Sequence, residues 1–99
     1  MHYIHTIDGV KPTFDPKKNA INLRRHKVSL TEGDGVLNDP LALTIEDDTA
    51  EGEQRFISIG MNSFGRLMVV VYTHRGENLR FISVRHAEPK ERRAYEKGI

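Results

Sequence analysis

Residues 66–86 read RLMVVVYTHRGENLRFISVRH, and this stretch decides the fold. Two runs rich in Val, Ile, Phe and Tyr, residues 67–73 and 79–84, flank a short polar break. Gly76 and Glu77 within the break suit a two-residue turn, so the pattern predicts a β-hairpin. Both faces of this hairpin would be largely apolar, which is typical of central strands that are covered at least in part on both sides.

The register of the hairpin determines which basic side chains lie on the same face of the sheet. A two-residue turn would place Val69 opposite Val84 across the strands. In a strand without irregularity, Arg80 and His86 then share one face while Arg85 points to the other. All three can serve one site only if the strand ends or bulges before Arg85.

Two helices are predicted before the sheet. Asp15 can accept backbone N–H bonds as an N-cap and Pro16 suits the first helical position, so a helix should extend to about Lys27. Ser29 and Glu32 form an S-x-x-E capping box, which predicts a second short helix. Two glycines weaken that second helix by about 1 kcal/mol each relative to alanine, so it must depend on packing.

The rest of the chain contributes short elements around the hairpin. Alternating apolar residues predict two further strands joined by an acidic loop, and a segment that begins with Pro and ends with Gly predicts a C-terminal helix. The predicted fold is therefore α+β, with two N-terminal helices packed on a mainly antiparallel sheet of about four strands and a short C-terminal helix. The two strands are predicted at residues 41–45 and 55–60, the acidic loop at residues 46–54 and the C-terminal helix at residues 90–97. All belong to a single domain of residues 13–99, which follows an N-terminal extension or edge strand at residues 1–12.

Composition excludes several classes of protein. The 99 residues include no cysteine, which rules out disulfides, a thiol nucleophile and a Cys-ligated zinc site. There is no apolar run of membrane-spanning length and no export leader, so we expect a cytoplasmic protein with no membrane association. The net charge of +1 is distributed in blocks: +4 over residues 1–27, −8 over residues 28–54 and +5 over residues 55–99. Motifs for nucleotide cofactors, serine hydrolysis and zinc proteolysis are absent, and no cofactor is expected.

The chemistry that remains is a group of basic side chains at the predicted strand ends. Arginine binds phosphate oxygens with a planar fork, and histidine can move a proton near neutral pH. A metal-independent ribonuclease needs such groups, but the same arginines could instead pair with the acidic loop. His26, near the end of the first helix, is more often a packed or hydrogen-bonded histidine than a catalyst. The strand-end arginines are Arg55, Arg66, Arg80 and Arg85, and the histidines beside them are His74 and His86.

The sequence resembles the BrnT family of bacterial type II toxins, in order, over residues 14–95. The matching segments begin with FDPKKNAINLRRHKVSL at residue 14 and continue through NDPLAL, EGEQRFISIG and GRLMVVVYTHRG. They end with LRFISVRHAEPKERRAYE, whose R-x-I-S-x-R at residues 80–85 is the most specific single piece. Phe14 and Lys27 stand where the family usually has tryptophan and glycine.

The resemblance implies a RelE-like α+β fold and a ribonuclease that cleaves RNA and arrests translation. It also implies a cognate ribbon-helix-helix antitoxin of the BrnA type, with operator DNA bound only through the toxin-antitoxin complex. The alternative is a non-catalytic binding module whose basic surface engages an acidic partner or nucleic acid. Carried onto matching positions, the catalytic candidates are Glu53, Arg80, Arg85 and His86, and the substrate-binding candidates are Arg55, Arg66 and Tyr72.

Overall fold

The structure is a computed structural model that describes residues 13–47 and 52–98. These residues form one α-helix, two short 3-10 turns, a four-stranded antiparallel sheet and a second α-helix. The predicted extension at residues 1–12 lies outside the described residues. The elements are α1 (Pro16–His26), the 3-10 turns Leu30–Gly33 and Val36–Asn38, β1 (Leu43–Asp47), β2 (Arg55–Met61), β3 (Leu67–Arg75), β4 (Asn78–His86) and α2 (Pro89–Lys97).

The hairpin formed by β3 and β4 contains a β-bulge that the sequence did not reveal. The predicted turn is confirmed, because Arg75 pairs with Asn78 across Gly76 and Glu77. Beyond it the register shifts at Ile82, so that Val70, rather than Val69, pairs with Val84. The predicted pairing of Val69 with Val84 is therefore wrong. An extra residue in one strand reverses the face of every side chain that follows it.

One face of the sheet carries the hydrophobic core. Tyr72 and Phe81 are its largest fully buried side chains. The two 3-10 turns and the segment before them cover this face, so Leu30 and Val36 are also fully buried. The other members of the core are Val28, Met68, Val70, Leu79 and Val84, with Phe14, Leu37 and Phe56 packed against them.

The second N-terminal helix is not formed as predicted. Ser29 does cap the segment, since its hydroxyl accepts a hydrogen bond from the Thr31 amide, but only a 3-10 turn follows. Gly35 has φ of +88°, a left-handed conformation that interrupts the helix before the second turn begins. Gly33 lies so close to the sheet that an added Cβ would stand 2.7 Å from the Phe81 ring. Gly33 therefore serves close packing on β4, and Gly35 supplies a left-handed turn beside Ser63, so neither supports a regular helix.

Strand β4 is an edge of the sheet, yet its outer backbone groups are covered. Thr13 forms a parallel bridge with Arg80, and its amide donates to the Leu79 carbonyl at 2.9 Å. Further along, the buried Asn22 amide of α1 bonds both backbone groups of Val84. These contacts hold α1 against the β4 edge. Neither α1 nor α2 has the length and apolar character that crossing a membrane requires.

Candidate functional site

The bulge at Ile82 gathers arginines on the sheet face opposite the core, which we call the outer face. Alternate residues of a strand point to the same face, and cross-strand partners share it. Arg55 belongs to the outer face as well, because it alternates with Ile57, the β2 partner of Val71. Three pairs of β3 and β4 residues define this face: Val69 with Arg85, Val71 with Ser83, and Thr73 with Arg80.

A cleft of about 330 Å³ opens between α1 and this face, and we call it the α1 cleft. Its walls are rich in cationic groups, with Asp47 as the acidic residue among them. A concave site with an excess of positive charge attracts anionic ligands and strengthens their interaction with each cation. The residues that line it are Lys18, Ile21, Asn22, Arg25, His26, Asp47, Arg55, Val71, Ile82 and Ser83.

Helix α1 positions the basic residues of the cleft. Its predicted start is confirmed, because the Asp15 carboxylate accepts from the Lys17 amide at 2.9 Å. Its end is fixed by Lys27, which adopts a left-handed conformation and donates its amide to the Leu23 carbonyl. Lys18 and Arg25 both line the cleft, although Arg25 is also exposed to solvent. Their three- and four-residue spacing around buried Asn22 was the signal that could have located them.

His26 is half-buried on the wall of the α1 cleft. Burial lowers the pKa of its imidazole, and the neighbouring positive charges of Arg25 and Arg85 lower it further. Each of these causes disfavours the protonated ring. His26 is therefore held in its neutral form, which can accept a proton, at neutral pH.

Arg85 is held by the C-terminal helix. Its two terminal nitrogens donate to Glu91 Oε1 at 2.8 Å and to Oε2 at 2.6 Å, a bidentate ion pair. The hydrogen bond raises the pKa of Arg85 and lowers the pKa of Glu91. A phosphate at Arg85 would therefore have to share or displace the Glu91 carboxylate.

Among the described residues, the guanidinium groups of Arg55 and Arg80 have fewer hydrogen bonds and ion pairs than that of Arg85. Arg55 Nε is buried without a hydrogen-bond partner and lies 3.8 Å from Glu53 Oε2, too far for a hydrogen bond. Within residues 13–47 and 52–98, the guanidinium of Arg80 forms no ion pair. The alternative that the arginines pair with the acidic loop accordingly holds for Arg55, whose guanidinium lies beside Glu53.

The structure places three of the predicted site residues away from the outer face. Arg66 is exposed and pairs with Glu32 at 3.2 Å, on the side of the first 3-10 turn. His86 pairs with core residue Met68, so the expectation that it shares a face with Arg80 is wrong because of the bulge. Tyr72 is 1% exposed, and its hydroxyl lies 3.1 Å from Ser58 Oγ. It therefore packs in the core rather than lining a surface.

These features define a small α+β protein with a cationic cleft beside an antiparallel sheet. Residues 14–91 match the family described as "Ribonuclease toxin, BrnT, of type II toxin-antitoxin system". The chain therefore belongs to the BrnT family of ribonuclease toxins, and membership of a type II system implies an antitoxin partner.

A solved structure agrees on the fold. The 1.1 Å crystal structure of the Brucella abortus ribonuclease toxin, BrnT, superposes with a TM-score of 0.56 at 20% sequence identity. The match covers 80% of this chain and 97% of that one. No curated protein matches the sequence.

Proposed function

We propose that this protein is a metal-independent endoribonuclease that cleaves RNA in the cytoplasm and thereby arrests translation in a RelE-like manner. We further propose that a BrnA-type ribbon-helix-helix antitoxin neutralises it and carries the complex to operator DNA. Family membership supports the general activity. The single observation that supports a site for it is the bulge at Ile82, which brings Arg80 and Arg85 to the same face as Arg55.

The cleft suits RNA because its cations can hold a phosphate and stabilise charge as it develops there. Cleavage by the neighbouring 2′-hydroxyl passes through a crowded phosphorane with added negative charge, which fixed cations stabilise without reorganisation. Arg25, Arg55 and Lys18 line the cleft, while Arg80 and Arg85 extend the positive charge along the sheet. Glu53, beside Arg55, remains a candidate for proton transfer or for orienting that guanidinium.

A pair of adjacent arginines on α1 tests this site. Arg25 lines the cleft whereas exposed Arg24 does not, so Arg25→Ala removes a phosphate contact and Arg24→Ala changes net charge by the same amount without one. We expect Arg25→Ala and Arg80→Ala each to lower RNA cleavage in EDTA by about tenfold or more, since a charge-assisted hydrogen bond contributes roughly 1.5–3 kcal/mol. Arg24→Ala should cleave at nearly the parental rate.

Binding measurements separate the site from a general effect of charge. The affinity for single-stranded RNA should fall with salt, and losing one phosphate contact lowers the slope of log affinity against log salt by about 0.7. Arg25→Ala should show that reduction and Arg24→Ala should not. Equal rates for both variants would place the active site elsewhere.

The second candidate function, a binding module without catalysis, is favoured by one contact. Glu91 occupies both terminal nitrogens of Arg85, which limits that arginine as a phosphate ligand in this conformation. If the parental protein binds RNA in a salt-dependent way but leaves it intact in EDTA, this second function is the correct one. If the RNA is cleaved, an Arg80→Ala preparation that no longer cleaves it excludes a contaminating nuclease as the cause.

A further inference from the structure

We propose that His26 is the general base of this ribonuclease, the group that removes the proton from the attacking RNA 2′-hydroxyl. This inference rests on the proposed function. It gives a chemical role to a histidine that sequence reasoning treated as more often packed or hydrogen-bonded. His86, a proton-transfer candidate from the sequence, lies on the core side of the sheet, whereas His26 lies beside the outer face.

The position of His26 supports the role. His26 lines the α1 cleft together with Arg25, Arg55 and Ser83. A phosphate held by the two guanidinium groups in a cleft of this size would bring the adjoining ribose against the cleft wall, where His26 lies. A general base must come within hydrogen-bond reach of the proton it removes.

The imidazole is also available and well positioned. Within the described residues it makes no hydrogen bond or ion pair, so neither ring nitrogen is occupied. The backbone beneath it is fixed one turn earlier by Asn22, which bonds Val84 on β4 and the Val28 carbonyl after the helix. Rigid placement of this kind limits the cost of aligning base and substrate.

The charges that face His26 favour a free base. Arg25 approaches from α1 and Arg85 from β4, and both disfavour a second proton on the ring. The carboxylate of Glu91 from α2 is engaged with Arg85 rather than with the imidazole. From the sheet, Arg55 adds a positive charge to the cleft and Asp47 adds a negative one.

The proposed step conserves atoms and charge. A nitrogen of His26 takes the 2′-hydroxyl proton as the 2′ oxygen forms a bond to phosphorus. The bond from phosphorus to the 5′ oxygen breaks, and water gives this leaving oxygen its proton. The hydroxide that remains takes the proton from the His26 imidazolium, which restores the neutral ring and the water. The products are a 2′,3′-cyclic phosphate and a free 5′-hydroxyl, and no metal or redox partner is required.

His26→Gln provides the test, with exposed His74→Gln on the core-side face as the matched control. General base catalysis is worth about 10² to 10⁴-fold, so His26→Gln should lower kcat by at least about a hundredfold. Parental cleavage should rise with pH through a limb centred below the ordinary histidine value of 6.5 and then level off. His26→Gln should lose that limb, and His74→Gln should keep both the rate and the limb.

Two further measurements distinguish this role from a structural one. Affinity for an uncleavable 2′-deoxy analogue should be nearly the same for the parental protein and His26→Gln, and their thermal melting temperatures should agree. If the parental protein cleaves RNA and His26→Gln cleaves equally well with the same pH limb, the assignment of His26 fails while the proposed function stands. If the parental protein itself does not cleave RNA, both proposals fail.

Discussion

Asn22 covers the β4 edge at Val84 with a single amide side chain. It is 4% exposed, and its Nδ2 donates to the Val84 carbonyl at 2.8 Å and to the Val28 carbonyl at 2.9 Å. Its Oδ1 accepts from the Val84 amide at 3.1 Å. Buried backbone groups need partners, and an open strand edge invites pairing with another chain. Asn22 thus satisfies the backbone of β4 at Val84 and fixes the helix that carries the cleft cations.

Asn22→Ala should be strongly destabilising for this reason. The substitution leaves the Val84 amide and carbonyl and the Val28 carbonyl without that partner, and each unsatisfied buried group costs about 1–3 kcal/mol. We expect the free energy of unfolding in urea to fall by about 3 kcal/mol. Exposed Asn38→Ala is the control and should change it by less than about 0.5 kcal/mol. Comparable losses for the two variants would contradict the structural role given to Asn22.

At the scale of elements, capping and turn residues in the sequence predicted the start of α1 and the hairpin turn. They did not predict the β-bulge at Ile82, which brings the arginines of β4 to the outer face. Asp15 and Pro16 located the start of α1, and Gly76 located the hairpin turn, because caps and tight turns depend on the chemistry of single residues. The bulge at Ile82 was not predictable, since isoleucine suits a regular strand equally well. Yet that bulge decides which face receives Arg85. The candidate site was therefore only partly predictable.

Helix α2 is an element without a buried residue, and polar contacts attach it to the rest of the molecule. Arg85 binds Glu91, and the Tyr95 hydroxyl donates to Asp39 Oδ2 at 2.6 Å. Burial and the Asp39 carboxylate raise the pKa of Tyr95 to about 12, which keeps the phenol a donor at neutral pH. Burial raises the pKa of Asp39, but hydrogen bonds from the Met61 amide and from Tyr95 outweigh it and lower the pKa overall.

We therefore predict that α2 detaches in acid. The pKa values of Glu91 and Asp39 are lower in the folded protein than the ordinary 4.5 and 3.8, so each contributes stability above its ordinary value. That contribution is lost as the pH falls through the lowered values. The Cα chemical shifts of α2 should move toward coil values below about pH 4 while those of β3 stay native. Glu91→Gln should loosen α2 already at pH 7. Helical shifts that persist at pH 2 would contradict this attachment.

At the scale of the whole molecule, the outer face divides into a basic part beside α1 and an apolar part beside α2. The apolar part is a groove of about 780 Å³ between β1, β2 and α2. Leu41 and Ile45 border it and are 67% and 64% exposed. Strand β4 has its edge covered by Thr13 and Asn22, whereas in the described part of the chain no strand pairs with the outer edge of β1. An apolar surface next to an open strand edge is suited to a protein partner.

The isolated protein should consequently self-associate through β1. An antiparallel pair centred on Ile45 would set Leu43 opposite Asp47 and Thr44 opposite Glu46, so no like charges would face each other directly. We expect sedimentation velocity to show the weight-average mass rising between about 10 μM and 1 mM, at concentrations typical of weak contacts. Ile45→Lys should suppress that rise, because an edge lysine opposes strand pairing. Phe64→Lys is the control, since Phe64 is also 64% exposed but lies in the β2–β3 loop. A parental protein that stays monomeric at 1 mM, or two variants that reduce self-association equally, would show that the β1 edge does not mediate self-association.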